Sequence, residues 1–230
     1  MFHPRELLHS AAKVAVLTGA GVSAESGIPI FRGSGGYWQQ HRFEDLATPQ
    51  AFSRDPKFVW TWYEERRRTI AQAKPNAGHH ALVELEKQKP DFTLITQNVD
   101  GLHDLAGSKN VIKLHGDIWT LRCLKCGRER IDRSQLDDLP PHCECGGMLR
   151  PGVVWFGEPL PERALEQANA AVRAADVLIV AGTSAQVYPA AGLIPLASAV
   201  IEINPEETDF SDELTFSLRG TSAEILPQLI

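Results

Sequence analysis

Four short apolar runs, separated by long stretches with helical spacing, constrain the fold of this chain more than any other feature. The runs cover residues 14–17, 92–95, 177–180 and 200–203. The stretches at 77–89 and 161–175 have the apolar spacing or the Pro, Ala and Glu content of helices. Strands that alternate with helices of this length predict βαβ units around a parallel sheet, which is an α/β, Rossmann-like domain.

Two segments break this alternation. Residues 34–74 are aromatic and charged, and residues 119–151 hold all four cysteines. The chain of 230 residues is long enough for one sizeable core plus inserts. We therefore expect a Rossmann-like domain made of residues 1–33, 75–118 and 152–230, with a helical insert at 34–74 and a smaller zinc-binding insert at 119–151.

Composition and hydropathy argue against several classes of protein. With 23 Lys and Arg against 29 Asp and Glu, the net charge is −6, so no basic field attracts nucleic acid. The first ten residues lack the apolar run of a signal peptide. Residues 177–201 carry no charged side chain, but glycines and prolines interrupt them, as in strands of a buried sheet. We expect a cytoplasmic monomer that binds neither nucleic acid nor membrane.

A glycine-rich turn follows the first predicted strand. Residues 19–24 match the pattern G-x-G-x-x-G/A, whose glycines let backbone N–H groups approach a pyrophosphate. An ordinary turn is the alternative, because the pattern alone is weak. A dehydrogenase would have a second strand ending in an acidic residue about 20 positions later. Glu44 and Asp45 lie at that distance, but the glycine-rich residues 33–38 precede them, which argues against an ordinary dehydrogenase.

The four cysteines have the spacing of a zinc ribbon. Cys123-x-x-Cys126 is followed after sixteen residues by Cys143-x-Cys145. Four thiolates at such spacing predict a closed, structural Zn²⁺ site. The second pair is one residue tighter than usual, so His142 is an alternative to Cys145 as fourth ligand. Two disulfides are a weaker alternative, and so is a redox pair, because a second pair follows and no strand is predicted before Cys123.

Several motifs in one order resemble the sirtuins, the NAD-dependent protein deacylases, and specifically a class III-like prokaryotic member. The resemblance covers residues 19–32, 96–103, 114–116, 150–158, 182–184 and 203–206, together with the four cysteines. Many sirtuins carry Asp where this chain has Ile30. The resemblance implies cleavage of NAD, transfer of the acyl group of a modified lysine to ADP-ribose, and release of nicotinamide.

The resemblance also implies roles for individual residues. His115 is the general base, and imidazole suits this because its usual pKa of about 6.5 leaves much of it neutral. Asn98 is the second catalytic residue. The residues implied to bind NAD are Gly19, Ala20, Gly21, Ile28, Phe31, Arg32, Gln97, Asn98, Val99, Asp100, Gly182, Thr183, Ser184, Asn204, Pro205 and Glu206.

The acylated protein or peptide is expected to add to a strand at residues 153–157, through Val153, Val154, Phe156 and Gly157. Two other functions stay open at this point. A mono-ADP-ribosyltransferase would use the same NAD cleavage with a protein nucleophile, and a zinc-ribbon binding module would need no catalysis.

Tyr63 and Arg66 indicate which acyl group is removed. They are three positions apart in a stretch that reads as helix, so both project from one face. A phenol beside a guanidinium fork can bind the terminal carboxylate of succinyl, malonyl or glutaryl lysine. The pair also resembles class III sirtuins. The alternative is a solvated charged face that includes the neighbouring residues Glu64, Glu65, Arg67 and Arg68.

Overall fold

A six-stranded parallel sheet organises the larger part of the molecule. The computed structural model describes residues 3–31 and 42–230. The strands of this sheet are β1 (Lys13–Thr18), β2 (Asp91–Thr96), β3 (Val111–Lys113), β7 (Val177–Ala181), β8 (Val200–Ile203) and β9 (Phe216–Leu218). Their order across the sheet is β3-β2-β1-β7-β8-β9. Thr18 pairs with Thr96 on β2 and with Ala181 on β7, so these three strands end at one edge of the sheet.

Helices cover both faces of this sheet because its central strands are apolar on both sides. Val14 and Val16 of β1 face one core, whereas Ala15 and Leu17 face the other, as the two-residue period of a strand requires. The first core contains side chains of α5 (Ala77–Gln88) and α8 (Ser222–Leu229), and the second contains side chains of α7 (Glu162–Ala174). The helices that flank the sheet are α1 (Pro4–Ser10), α5 (Ala77–Gln88), α6 (Leu102–Ala106), α7 (Glu162–Ala174) and α8 (Ser222–Leu229).

A smaller unit packs α2 (Phe43–Leu46), α3 (Pro49–Arg54) and α4 (Pro56–Gln72) with an antiparallel sheet of order β5-β4-β6. Its strands are β4 (Gly116–Cys123), β5 (Glu129–Ile131) and β6 (Leu149–Val153). One core joins the helices to the sheet, and within it the Trp60 indole N–H donates to the Leu149 carbonyl at 2.8 Å. The two inserts predicted from the sequence thus share a core.

A buried ion pair fastens α4 to the zinc ribbon. Glu64 and Arg67 lie 3.1 Å apart and are both almost fully buried. The Arg67 guanidinium also donates to the carbonyls of Ile118, Asp132 and Ser134. A buried charge is stable only when it is paired and hydrogen-bonded in this way. These contacts fix the position of the helix that carries Tyr63.

The predicted Rossmann-like sheet with a smaller zinc-ribbon and helical part is confirmed, but two local expectations were wrong. A strand does precede the first cysteine, because β4 runs from Gly116 to Cys123. Only Val153 of the segment 153–157 lies in a strand. Beyond it, the Phe156 N–H donates to the Ala47 carbonyl and the Trp155 N–H to the Glu158 carboxylate, so the chain leaves the sheet. Within the described residues, no helix is both long and apolar enough to cross a membrane.

Candidate active site

A cavity of about 610 Å³ opens at the carboxyl ends of the sheet strands, and residues of the smaller unit line its other side. Open α/β sheets bind ligands at this edge. The structure brings most of the predicted site residues together here. Those that line the cavity are Gly19, Ala20, Gly21, Phe31, Tyr63, Arg66, Gln97, Asn98, Val99, His115, Val153, Val154, Phe156, Gly157, Gly182, Thr183, Ser184, Asn204, Pro205 and Glu206.

The remaining predicted residues fall into two groups. Ile28 and Asp100 line a small second pocket that shares Ala20, Asn98 and Phe31 with the main cavity. Asp100, Ala20 and Ile28, which the resemblance lists among the NAD-binding residues, thus line the same small pocket. Arg32 and residues 34–41 of the predicted helical insert lie outside the described residues.

Glycines in two loops form the base of the cavity. The Gly21 N–H donates to the Gly182 carbonyl at 2.8 Å. A Cβ at Gly19 would lie 2.7 Å from that same oxygen, and one at Gly21 would lie 2.8 Å from the Gly182 Cα. Gly182 itself has a φ of +62°, which favours glycine. The glycines therefore let the turns after β1 and β7 touch.

The imidazole of His115 is arranged to accept a proton. Its Nδ1 lies 3.0 Å from the Gln97 carbonyl oxygen. A carbonyl can only accept a hydrogen bond, so Nδ1 carries the proton and Nε2 is left as the basic nitrogen. Burial lowers the pKa of His115 below 6.5, and the Gln97 hydrogen bond opposes this only in part. The ring is therefore neutral at pH 7.

Asn98 and Asp100 are held by Ser23. The Asn98 side-chain amide donates to Ser23 Oγ at 3.3 Å, and Ser23 Oγ donates to Asp100 Oδ2 at 2.8 Å. Asp100 Oδ1 accepts from the Leu102 N–H. Burial raises the pKa of Asp100, and these hydrogen bonds oppose the rise. An amide and a carboxyl group thus stand fixed beside a small apolar pocket, an arrangement suited to a carboxamide.

Sequence reasoning missed a buried polar cluster behind this pocket. His79 and His103 are almost fully buried, with ring centroids 4.9 Å apart. His103 Nε2 lies 3.0 Å from Thr18 Oγ1, which in turn donates to Thr96 Oγ1 at 2.8 Å. Both histidines lie in helices where no sequence signal separates them from surface histidines. The cluster connects the ends of β1 and β2 to α5 and α6.

The acyl-binding candidates Tyr63 and Arg66 lie side by side on α4 and are buried, with relative exposures of 3% and 6%. The Arg66 guanidinium carbon lies 4.6 Å from the Phe31 ring centroid and 4.8 Å from that of Trp62. Such stacking holds the guanidinium plane in place. The alternative of a solvated charged face does not describe this pair, although Glu65 and Arg68 are exposed.

A loop at the opposite end of the cavity is anchored by Glu202. Although burial raises the pKa of this carboxyl, hydrogen bonds from Ser211, Ser217, Thr208 and Arg219 lower it below its ordinary value. Arg219 also donates to the carbonyl of Glu206. Loop residues that line the cavity are Asn204, Pro205, Glu206, Glu207, Thr208 and Asp209. The last three are cavity residues that sequence reasoning did not name.

The four cysteine sulfurs form a cluster in which all lie within 4.8 Å of one another. The Sγ atoms of Cys123 and Cys145 are 3.6 Å apart, and those of Cys126 and Cys143 are 3.9 Å apart. Zn–S bonds of about 2.3 Å put the sulfurs of a tetrahedral site about 3.8 Å apart. The donor set therefore fits one structural Zn²⁺. His142 is exposed and lies outside the cluster, which favours Cys145 as fourth ligand.

Fold and site together define a dinucleotide-binding protein with a Rossmann-like sheet, a zinc ribbon and a histidine at the strand ends. The chain belongs to the Sir2 family, whose sequence model matches residues 19–189. The predicted resemblance to sirtuins is thereby confirmed.

Relatives and solved structures are similar to this chain over most or nearly all of its length. An NAD-dependent protein deacylase of Aquifex aeolicus (strain VF5) is 58% identical over 201 residues, 85% of this chain and 84% of the relative. NAD-dependent protein deacylase 2 of Pyrobaculum aerophilum is 48% identical over 98% of this chain and 92% of its own. A solved Sir2 homolog–NAD complex has a TM-score of 0.92 at 48% identity, covering 98% of this chain and 90% of that one.

Proposed function

We propose that this protein removes acyl groups from protein lysines with NAD as co-substrate, and that it prefers acyl groups that end in a carboxylate. The products are the free lysine, nicotinamide and O-acyl-ADP-ribose. NAD-dependent protein deacylation follows from membership of the Sir2 family and from relatives named NAD-dependent protein deacylases. The acyl preference rests on one observation, the buried pair Tyr63 and Arg66 in the same cavity as His115.

Each part of the cavity suits one part of the two substrates. His115 Nε2 is the group that accepts a proton from a ribose hydroxyl, a role that contributes on the order of a hundred- to ten-thousandfold. Asn98 and Gln97 face the ribose and nicotinamide, and Asp100 holds the carboxamide with Ala20 and Ile28. Ser184 and Asn204 hold the adenosine half, beside the glycines that leave room for the phosphates. Arg32 completes the proposed NAD contacts.

The peptide enters between the two parts of the molecule, along Val153, Val154, Phe156 and Gly157, all of which line the cavity. Only Val153 offers strand backbone, so β-addition is limited to this end of β6 and to the loop that follows. The acyl chain then extends towards α4. Backbone pairing tolerates many sequences, which suits an enzyme with several protein substrates.

The chemistry at the end of the acyl pocket favours a carboxylate over a methyl group. The planar guanidinium fork of Arg66 can bind a carboxylate with two hydrogen bonds. Burial raises the pKa of Tyr63, so its phenol stays protonated and can donate. The methyl end of an acetyl group offers no acceptor to the guanidinium and the phenol, whereas the carboxylate of a succinyl, malonyl or glutaryl group can accept hydrogen bonds from both.

Replacing Arg66 tests this preference. A charge-assisted hydrogen bond is worth roughly 1.5–3 kcal/mol, so Arg66→Ala should lower kcat/KM for a succinyl-lysine peptide by about ten- to a hundredfold. The loss on an acetyl-lysine peptide should be much smaller. Arg68→Ala, on the exposed side of the same helix, is the matched control and should leave both values unchanged. Equal losses on both peptides in Arg66→Ala would remove the proposed preference.

A product assay separates the enzyme from the alternatives raised by the sequence. The protein is incubated with NAD and a succinyl-lysine peptide, and the mixture is analysed by mass spectrometry. A deacylase yields nicotinamide, the free lysine peptide and O-succinyl-ADP-ribose. A mono-ADP-ribosyltransferase would leave a target protein heavier by one ADP-ribose, and a zinc-ribbon binding module would release no nicotinamide.

The proposal extends to the setting in which the enzyme acts. We place it in the cytoplasm as a monomer that acts on acylated proteins and binds neither nucleic acid nor membrane, as a net charge of −6 favours. Residues 1–33, 75–118 and 152–230 would form the NAD-binding domain, with inserts at 34–74 and 119–151. Size-exclusion chromatography with light scattering should give the mass of one chain, about 25 kDa.

A further inference from the structure

One hydrogen bond links the acyl-binding candidate Tyr63 to a residue with no role assigned so far. The indole N–H of Trp155 lies 2.9 Å from the Tyr63 hydroxyl oxygen, and both side chains are buried. An indole N–H can only donate, so the phenol oxygen accepts this bond. The hydroxyl proton of Tyr63 must then point elsewhere. Among residues 3–31 and 42–230, no group accepts it.

The indole of Trp155 is held rigidly. The Arg150 guanidinium carbon lies 3.5 Å from its ring centroid, and Phe52 packs against it at 5.1 Å between centroids. Arg150 is itself fixed by a two-pronged pair with Glu158, with N···O distances of 2.5 and 2.8 Å. The Trp155 backbone N–H donates to the same carboxylate at 2.9 Å. The direction of the indole N–H is therefore set by its surroundings before any substrate binds.

Within the part of the chain that the structure describes, the surroundings of the phenol leave its proton free to point into the cavity. Trp155 occupies a lone pair of the phenol oxygen, and the edge-to-face packing of Trp62, with centroids 4.8 Å apart, covers the ring. Tyr63 and Arg66 both line the cavity. A proton that cannot point to Trp155 is thus available to a group that enters the cavity beside the guanidinium.

We infer that Trp155 is a positioning residue for the acyl carboxylate: its N–H holds the Tyr63 hydroxyl so that the phenol proton is offered to the substrate. The inference rests on the proposed function, in which Tyr63 and Arg66 bind a terminal carboxylate. It assigns the specificity of the site to three side chains instead of two. Trp155 acts through Tyr63 and need not touch the carboxylate.

A double-mutant cycle tests this coupling. Trp155→Phe removes the N–H and keeps an aromatic ring for Arg150 and Phe52 to pack against. The ratio of kcat/KM for succinyl-lysine over acetyl-lysine peptide should fall by roughly two- to tenfold, as expected for one neutral hydrogen bond. In a Tyr63→Phe background, where no hydroxyl remains, Trp155→Phe should not lower that ratio further.

A spectroscopic measurement follows the hydrogen bond without any acyl substrate. The chain has only three tyrosines, so ring-labelled tyrosine gives three ¹³Cζ signals, and Tyr63→Phe identifies the one from Tyr63. Trp155→Phe should shift this signal and raise the pKa of the phenol, because the bond from Trp155 stabilises the phenolate. The other two signals should stay in place.

The outcomes are distinguishable. A Tyr63 signal that does not move, equal loss on both peptides, or a further fall of the ratio in the Tyr63→Phe background would overturn the role of Trp155 while leaving the acyl preference intact. A wild-type enzyme that treats both peptides alike would overturn the proposed preference, and the role of Trp155 with it.

Discussion

Among individual side chains, His115 is the one whose buried environment should set how kcat/KM depends on pH. Because burial lowers its pKa below 6.5, it accepts protons at neutral pH and loses this ability only in more acidic solution. We expect kcat/KM to be level near pH 7 and to fall about tenfold per unit below the lowered pKa. His115→Ala should cost about a hundred- to ten-thousandfold. A profile that already falls above pH 7, or a His115→Ala enzyme with intact turnover, would contradict this role.

His103 should make the stability of the protein depend on pH. Burial lowers its pKa to about 4, and a second N–H at Nδ1 would find no acceptor within the described residues. In the unfolded chain His103 has an ordinary pKa of about 6.5, so between these two pKa values it is protonated when the chain is unfolded and neutral when the chain is folded. Stability is complete above pH 6.5 and is lost as the pH falls from there towards 4.

The measurement is urea unfolding at pH 7 and pH 5. His103→Gln should flatten the dependence by up to about 1.4 kcal/mol per pH unit, because one titrating group is removed. His9→Gln changes an exposed histidine and should leave the slope as it is in the wild type. The same slope in wild type and His103→Gln would show that His103 is protonated in the folded protein.

Individual site residues could be predicted only where they belong to a motif. His115, Asn98 and the glycines stand in short stretches whose order identifies the family. Trp155 lies inside such a stretch, but its importance depends on Tyr63, which is 92 positions away in the chain. The contact between His103 and Thr18 is likewise long-range. Contacts of this kind depend on the fold, and spacing along the chain carries no information about them.

Among the secondary-structure elements, the zinc ribbon offers a test of its own ligands. The cluster contains Cys145 and excludes His142, so Cys145→Ser should lower the zinc content well below one ion per chain, whereas His142→Ala should keep one. Zinc is measured by atomic emission on the purified proteins. Because structural zinc contributes directly to folding, Cys145→Ser should also lower the melting temperature. Full zinc in Cys145→Ser would point to a different fourth ligand.

The loop after β8 depends on Glu202, a residue that does not line the cavity. Thr208 and Ser211 donate to this carboxylate at 2.5 and 2.6 Å, and Thr208 also lines the cavity. Glu202→Gln turns an acceptor for several donors into an amide and should loosen the loop. We expect KM for NAD to rise by roughly tenfold with a smaller change in kcat.

Glu213→Gln, an exposed residue of the same segment, is the control for this experiment and should leave KM unchanged. Calorimetry with ADP-ribose measures the same effect without turnover, and affinity should fall in parallel with the rise in KM. Unchanged ADP-ribose affinity in Glu202→Gln would show that the carboxylate does not support this end of the cavity.

Strands were predictable to within a residue or two where they are continuous apolar runs. Residues 14–17 and 92–95 lie inside β1 and β2, and residues 177–180 inside β7. Strand β4 was not predicted because its polar Asp117 and Arg122 interrupt any apolar run. The segment 153–157 has strand-forming residues, but two of its backbone N–H groups donate to the Glu158 carboxylate and the Ala47 carbonyl instead of to a neighbouring strand. Tertiary contacts thus decided the elements where propensity alone was ambiguous.

For the molecule as a whole, the family and the fold class that the sequence indicated are confirmed. The sequence predicted a sheet domain with two inserts, but not how the inserts pack against each other. It did not indicate that the helices of one insert and the sheet of the other would enclose a common core. Trp60 and its partner Leu149 are 89 positions apart in the chain, and neither segment contains a pattern that predicts contact with the other.

This common core has a consequence for engineering. The contacts from Trp60 and Arg67 to the ribbon backbone bind α4 to its scaffold at several points. A chimera that grafts α4 onto another member of the family would lose those anchors, and the grafted arginine and tyrosine would no longer point as they do here. Helix α4 and the zinc ribbon should therefore be exchanged together in any such chimera.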